Sequence, residues 1–215
     1  MLRLLLHDCL GLISSPRCPS CGGAAPAWPS PSLCVPCEQR LALPPGGLQG
    51  DDPLLWCALA SYAGPLRQLL LRQRPQPEPA LLQALAAALH RCCASALPGT
   101  LLLPLPSWKR QANPLPPLLA AGLVRASAGR CRVAVGLLQR NRPVVGQHHL
   151  NRRQRLGNQQ GSFHCTASGR AALWLVDDIL TTGATAQAAA AALQAQGWRV
   201  QGVLCAARTP APNPP

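Results

Sequence analysis

The stretch LWLVDDILTTGAT, residues 173–185, joins an apolar run to two adjacent acids and then to a turn of small and hydroxyl-bearing residues. An alanine-rich segment at 184–196 follows and ends at Gly197, a pattern typical of a helix with a glycine stop. In an open parallel sheet, ligands bind at the carboxyl end of a strand of this kind. The stretch therefore predicts a strand, a binding turn and a helix, in that order.

The turn has the chemistry of a phosphate site. Its main-chain amides and the positive end of the following helix would face an anion. A glycine within the turn would let a phosphate approach the backbone closely. We therefore expect five substrate-binding residues here, namely Thr181, Thr182, Gly183, Ala184 and Thr185.

The two acids before the turn, Asp177 and Asp178, would repel a phosphate and so need another role, which we take to be catalytic. Carboxylate oxygens accept hydrogen bonds from vicinal sugar hydroxyls or help to hold a divalent ion. A sugar with a phosphate at one end and a diol in its middle fits both halves of the motif. The alternative is a helix-capping turn in which the acids are incidental.

Apolar runs of strand length alternate with helical patterns along the rest of the chain. The strand-like runs lie at 100–105, 131–138, 171–176 and 199–207, and the helical patterns lie at 80–97, 115–126 and 184–196. Strands that alternate with helices and lack period-two polarity are typical of a parallel sheet covered on both faces. The chain is therefore predicted to have an α/β fold.

Turn-forming residues divide this sequence into parts. Residues 44–53 are rich in proline and glycine and are predicted to be a linker. We expect an N-terminal helix and metal module at 1–45, the α/β domain at 54–209, and a mobile proline-rich tail at 210–215.

Four cysteines have the spacing of a zinc site. Two C-x2-C pairs, separated by twelve residues, are formed by Cys18, Cys21, Cys34 and Cys37. Four thiolates at this spacing can close a tetrahedral zinc site, which leaves no open position and is therefore structural. The alternative is a redox pair. The other seven cysteines mostly lie in apolar runs and are expected to be small buried hydrophobes.

The formal net charge of +13 is unevenly placed, because residues 79–176 hold twelve basic residues and no acid. Such a segment attracts polyanions such as phosphorylated sugars, pyrophosphate or nucleic acid, although a solvated basic face is the alternative. Aromatic residues make up only 3% of the chain, which argues against a platform for stacking bases. The candidate nucleic-acid contacts are Arg140, Arg142, Arg152, Arg153 and Arg155.

No apolar run reaches the roughly 18 to 20 residues that a membrane span needs. The first residues lack the ordered regions of a secretion signal, so we expect a cytoplasmic protein.

The motif at 173–185 resembles the 5-phosphoribosyl-1-pyrophosphate (PRPP) motif of type I phosphoribosyltransferases. Over nearly its full length, the chain resembles the ComF family, which joins a four-cysteine zinc module to that transferase fold. Supporting residues are YAGPLR at 62–67, LPLP at 103–106, and Arg140, Arg153 and Phe163 further on. One departure is the short segment after Pro106, where the family carries a longer basic loop. Lys109 and Arg110 are the candidate anion-binding residues of that segment.

The resemblance implies a set of expectations. In that family the paired acids contact the ribose hydroxyls, the threonine-rich loop holds the 5-phosphate, and Mg2+ accompanies PRPP. It also implies a role in competence, the uptake of DNA for transformation, with a helicase as partner. Two functions stay open: a phosphoribosyltransferase-like protein that binds PRPP or a related ribose 5-phosphate, and a non-catalytic accessory factor that binds single-stranded DNA.

Overall fold

The computed structural model describes residues 16–27, 31–107, 113–140 and 162–210, which form eight strands and five α-helices. The strands are β1 (Leu48–Gly50), β2 (Trp56–Ser61), β3 (Leu101–Pro104), β4 (Arg132–Val133), β5 (Leu138–Arg140), β6 (Phe163–Cys165), β7 (Ala172–Leu180) and β8 (Arg199–Arg208). The helices are α1 (Val35–Arg40), α2 (Gly64–Gln73), α3 (Pro79–Cys93), α4 (Leu115–Ala126) and α5 (Ala184–Gln194). None of these helices has the length and apolar character that crossing a membrane requires.

Six of the strands form one sheet in the order β1-β2-β8-β7-β3-β4, and β5 and β6 form a separate antiparallel pair. Only β1 runs antiparallel within the six-stranded sheet. Strand β7 lies between β8 and β3, with Val176 paired to Leu204 on one side and to Pro104 on the other. The carboxyl ends of five parallel strands therefore meet at one edge, and the predicted α/β fold is confirmed.

Helices cover both faces of this sheet, as the continuous apolar runs predicted. Trp174 and Val176 of β7 pack on the face covered by α2, α3 and α4. Leu173 and Leu175 pack on the opposite face, which is covered by α5. Because successive side chains of a strand alternate between faces, one strand contributes to both cores.

Three elements differ from the prediction. The expected linker at 44–53 contains β1, an edge strand whose Gly50 pairs with Trp56. Its turn residues bend the chain back onto the sheet instead of leaving it free. The run at 131–138 is divided between β4 and the start of β5, because the bend at Gly136 (φ +72°) interrupts it. Strand β7 extends to Leu180 and so includes the two acids. The predicted N-terminal helix at 1–15 and tail residues 211–215 lie outside the described residues.

The cysteine module packs directly against the helical face of the sheet. Leu33, Cys37 and Leu41 belong to the same apolar cluster as the buried leucines of α2 and α3. An ion pair between Arg91 of α3 and Glu38 of α1 adds a polar contact at this boundary. The module thus shares a core with the sheet, while the division into units 1–45 and 54–209 stays a prediction.

The cysteines outside the module are mostly buried. Cys57, Cys93, Cys131, Cys165 and Cys205 lie in the core and Cys92 is half-buried, as expected of small hydrophobes. Cys9 lies outside the described residues.

Candidate functional site

A cavity of about 450 Å³ opens at the carboxyl edge of the sheet. It is bounded by the ends of β3, β5 and β7, by the residues after α2, and by the first turn of α5. The polar groups that line it include Arg74, Arg140, Asp177, Asp178 and Thr185. The site therefore lies where the order of a parallel sheet places ligand-binding groups.

The two acids differ in their environments because successive residues of a strand face opposite sides. Asp178 is buried, with a side chain 3% exposed, and both of its oxygens are used. Its Oδ2 accepts a hydrogen bond from Arg74 Nε at 2.8 Å, and its Oδ1 accepts one from the Ile179 amide at 2.9 Å. Asp177 Oδ1 accepts from the Asp178 amide at 2.9 Å. Among the described residues nothing donates to Asp177 Oδ2, so Asp177 is the acid with an oxygen free for a ligand.

The pKa of Asp177 is raised well above its ordinary value of 3.8. Burial is the largest cause, and the negative charge of Asp178 raises the pKa further. A ligand that donates hydrogen bonds to this carboxylate, or a cation beside it, would favour its charged form.

The turn after β7 presents free main-chain donors. Gly183 has φ +75° and precedes α5, whose first amides have no partners within the helix. No described residue accepts a hydrogen bond from the amides of Thr181, Thr182, Gly183 or Thr185, whereas the Ala184 amide donates to Thr182 Oγ1 at 3.4 Å. Thr181 is exposed and Thr182 and Thr185 are half-buried. Gly183 and Ala184 are buried, and of the five turn residues Thr185 lines the cavity. The amides are donors of the kind that an anion uses, and the phosphate site stays a prediction.

Gly183 has a second structural reason to be glycine. A Cβ at this position would lie 2.3 Å from Cγ of Pro53, so the turn packs closely against the residues that precede β2. Gly183 thus makes a close contact with Pro53, and the expected close approach of a phosphate to its backbone stays a prediction.

Arg208 holds the start of the turn and was missed by the sequence analysis. Its Nη1 donates to the carbonyl of Leu180 at 3.1 Å and also contacts the carbonyl of Thr181. The guanidinium lies 5.3 Å from the ring centroid of Trp56. The sequence shows only that a basic residue lies at the end of the last predicted strand. The pairing of Arg208 with Leu180, which brings it to the turn, depends on the register of the sheet.

Arg140 lines the cavity, although the sequence suggested a nucleic-acid contact. Its Nε donates to the carbonyl of Pro106 at 2.8 Å, and its guanidinium lies 4.5 Å from the ring centroid of Phe163. Its Nη1 is buried without a hydrogen-bond partner among the described residues. Burial lowers the pKa of Arg140. The other predicted basic contacts lie outside the described residues: Lys109, Arg110, Arg142, Arg152, Arg153 and Arg155.

The four predicted zinc ligands converge. The sulfurs of Cys18, Cys21, Cys34 and Cys37 all lie within 4.8 Å of one another, and those of Cys21 and Cys34 are 3.6 Å apart. Zinc–sulfur bonds of about 2.3 Å in a tetrahedron place sulfurs about 3.8 Å apart, so the cluster fits the ion. Tight turns hold the sulfurs, with the Gly22 amide donating to the Cys18 carbonyl at 2.8 Å.

The four thiols of the cluster differ in acidity, because burial raises the pKa of Cys37 to about 12 while the pKa of Cys18 is lowered. Burial opposes ionisation of Cys18, but hydrogen bonds from the backbone of Cys34, Ser20 and Cys21 lower its pKa to about 6. Arg40 Nη2 lies 3.6 Å from the Cys37 sulfur and brings a positive charge. The predicted four-cysteine cluster compatible with a structural metal is confirmed.

No family model matches this chain, and no curated protein matches it. Among solved structures it is similar to the adenine phosphoribosyltransferase of Leishmania tarentolae, with 18% identity over 74% of this chain and 77% of that one, at a TM-score of 0.37. It is also similar to the adenine phosphoribosyltransferase of Leishmania donovani, with 16% identity over 70% of each chain, at a TM-score of 0.38. At these values the function has to be argued from the site of this chain itself.

Proposed function

We propose that this chain is a phosphoribosyltransferase-like protein that binds PRPP, or a related ribose 5-phosphate, in the cavity at the carboxyl edge of the sheet. The observation that carries the proposal is that no described residue contacts Asp177 Oδ2 or accepts from the Thr181, Thr182 and Gly183 amides, which follow the same strand. A volume of about 450 Å³ is within the range of small-ligand sites.

Each group has a definite task in this proposal. The amides of Thr181, Thr182 and Gly183 donate to the phosphate oxygens, helped by the dipole of α5. The ribose diol donates to Oδ2 of Asp177. The threonine hydroxyls add neutral donors around the phosphate.

A magnesium ion fits the donors of this cavity, because Mg2+ combines one or two carboxylates with phosphate oxygens and water. Asp177 Oδ2 would use its second lone pair for the ion beside the hydrogen bond from the diol. Bound there with pyrophosphate, the ion would neutralise the charge of that leaving group.

A thermal-shift titration tests the binding proposal. PRPP with Mg2+ should raise the melting temperature, because a ligand at a hundredfold excess over its Kd adds about 2.7 kcal/mol of stability. Asp177→Asn should greatly reduce the shift, and Asp51→Asn, an exposed acid outside the cavity, should not. No shift with PRPP or ribose 5-phosphate would refute the proposal.

Turnover needs a separate measurement. Pentosyl transfer releases pyrophosphate from PRPP, so release should appear with one or more bases of an acceptor panel and should stop in Asp177→Asn. Absence of release with every acceptor would leave a binding protein.

The four cysteines would hold a zinc ion with a structural role. All four positions of the tetrahedron are filled by protein, so the metal supplies folding free energy and has no position for substrate. Cys18, Cys34 and Cys37 are buried and Cys21 is exposed.

An association with DNA uptake is a second candidate, favoured by the twelve basic residues of the acid-free segment. Binding of single-stranded DNA should weaken steeply as salt rises, because each phosphate contact releases counterions. A flat salt dependence would contradict it. A helicase partner and a cytoplasmic location remain proposals from the resemblance to the ComF family.

A further inference from the structure

Arg74 is fixed at one end and free at the other. It follows helix α2, and its Nε is held by Asp178 across 104 residues of sequence. Arginine has five N–H donors, so four remain on the two terminal nitrogens. No described residue accepts a hydrogen bond from them, and the side chain is 41% exposed where it lines the cavity. An ion pair that uses only Nε leaves the other donors for a ligand.

Arg140 has the same arrangement on another wall. Its Nε is held by the carbonyl of Pro106, and its ring contact with Phe163 fixes the plane of the guanidinium. A buried Arg nitrogen without a partner is costly, because desolvation of the charged group is not repaid by a hydrogen bond. Nη1 of Arg140, a cavity-lining residue, has no hydrogen-bond partner among the described residues and therefore points to an anionic ligand.

The charged groups of the cavity leave one arginine without an acidic partner among the described residues, because Arg74 pairs with Asp178 while Nε of Arg140 donates to a carbonyl. Asp178 is paired with Arg74, so the Arg140 guanidinium is the cation of this lining that an anion could pair with directly. Arg140 contacts the Pro106 carbonyl just after β3, and Arg74 contacts Asp178 in the neighbouring strand β7, so both arginines reach the same edge of the sheet. Both arginines line the cavity together with Thr185 of the turn.

We propose that Arg74 and Arg140 together bind the pyrophosphate group of PRPP, and that Asp178 is a positioning residue that orients Arg74 for this contact. The inference rests on the proposed function and assigns residues to one end of the substrate. The planar fork of arginine suits it, because two N–H groups can meet two oxygens of a phosphate. These arginines would provide the cationic clamp in a chain whose segment after Pro106 is short.

The test compares two ligands that differ only in the pyrophosphate. Calorimetric titrations of the full chain with ribose 5-phosphate and with PRPP, both in Mg2+, give the ratio of their affinities. Arg74→Gln and Arg140→Gln should each reduce the affinity for PRPP about tenfold or more, as expected for loss of a charge-assisted contact, and leave that for ribose 5-phosphate unchanged. Arg72→Gln is the matched control, because Arg72 is an exposed arginine in the last turn of α2, just before Arg74, and does not line the cavity.

Asp178→Asn separates positioning from packing. It should lower the preference for PRPP in the same direction as Arg74→Gln, whereas a purely structural role would weaken both ligands alike. Arg140→Lys keeps the charge and gives a folded alternative if Arg140→Gln does not fold; it should retain part of the preference. Arg74→Lys should likewise recover part of it.

The outcomes are distinct. If the wild-type chain binds neither ligand, the proposed function fails. If the wild-type chain binds both, but Arg74→Gln and Arg140→Gln leave the affinity ratio unchanged, this inference is overturned and the proposed function stands. Equal weakening of both ligands in these variants also overturns it.

Discussion

Replacing Gly183 by alanine tests the geometry of the phosphate-binding turn. Gly183 has φ +75°, a region that costs an L-residue about 1 to 2 kcal/mol. The new Cβ would also lie 2.3 Å from Cγ and 2.7 Å from Cδ of Pro53, where carbon atoms prefer about 3.5 to 4.0 Å. Overpacking of this kind costs about 1 to 3 kcal/mol. The sum is a loss of about 2 to 5 kcal/mol unless the turn moves away from Pro53.

Gly99 provides the control for the backbone contribution. It has φ +73°, and a Cβ there would meet nothing within 4 Å. Gly99→Ala should therefore lose only the conformational part, about 1 to 2 kcal/mol. The two free energies of unfolding are obtained by urea denaturation with a common slope m, which shows that the denatured states are comparable.

The two variants should also differ in ligand binding. If the turn relieves the contact with Pro53 by moving, its amides leave the phosphate, and Gly183→Ala should bind ribose 5-phosphate more weakly while Gly99→Ala binds as the wild type does. Equal unfolding energies and equal affinities for Gly183→Ala and Gly99→Ala would refute the packing described for this turn.

Three further predictions concern the proposed zinc ion, the carboxyl group of Asp177 and the contact between helices α3 and α4. Elemental analysis of the wild-type chain should find one zinc ion per chain. Cys21→Ser should lose the zinc and be less stable, whereas the control Cys92→Ser should keep both the zinc and the stability. Zinc retained in Cys21→Ser would contradict the site. The pKa of Asp177 is raised on folding, so its protonated carboxyl stabilises the native state at low pH, and this stabilisation is lost as the pH rises through the raised pKa. The free energy of unfolding of Asp177→Asn should therefore increase relative to that of the wild type as the pH approaches neutrality. An increase seen only at acid pH would contradict this. In Gly122→Ala the new Cβ would lie 2.5 Å from Cβ of Ala86, so α3 and α4 should move apart and the chain should lose about 1 to 3 kcal/mol of stability. Adding Ala86→Gly should partly restore that stability. An unchanged urea midpoint for Gly122→Ala would contradict this packing.

Local features of this chain could be predicted from sequence. A continuous apolar run predicts strand β7, small polar residues predict the turn, and an alanine-rich segment with a glycine stop predicts helix α5. These three signals are consecutive in the sequence. The four-cysteine cluster was predictable for the same reason, because each C-x2-C pair forms its own turn. These patterns depend on neighbouring residues and do not require the register of the sheet.

The contacts that give each site residue its role could not be predicted, because they join distant parts of the chain. Asp178 meets Arg74 across 104 residues, and nothing near either residue indicates the pair. For Arg140 the sequence shows a basic residue in an acid-free segment, and the nucleic-acid contact predicted from that stays a prediction. Its contacts with Phe163 and the Pro106 carbonyl, which place it at the cavity, depend on the pairing of β5 with β6.

The cysteine module and the cavity are connected through helix α2. The inner face of α2 places Leu66 and Leu69 in the apolar cluster that also contains Cys37 and Leu41 of the module. The residue after this helix is Arg74, which reaches the cavity and pairs with Asp178. Because a closed cysteine site contributes folding free energy to the residues around it, loss of the metal would loosen the packing that supports α2. The position of Arg74, and with it the proposed contact to pyrophosphate, would therefore depend on the metal proposed for the four-cysteine cluster, which has no position for substrate.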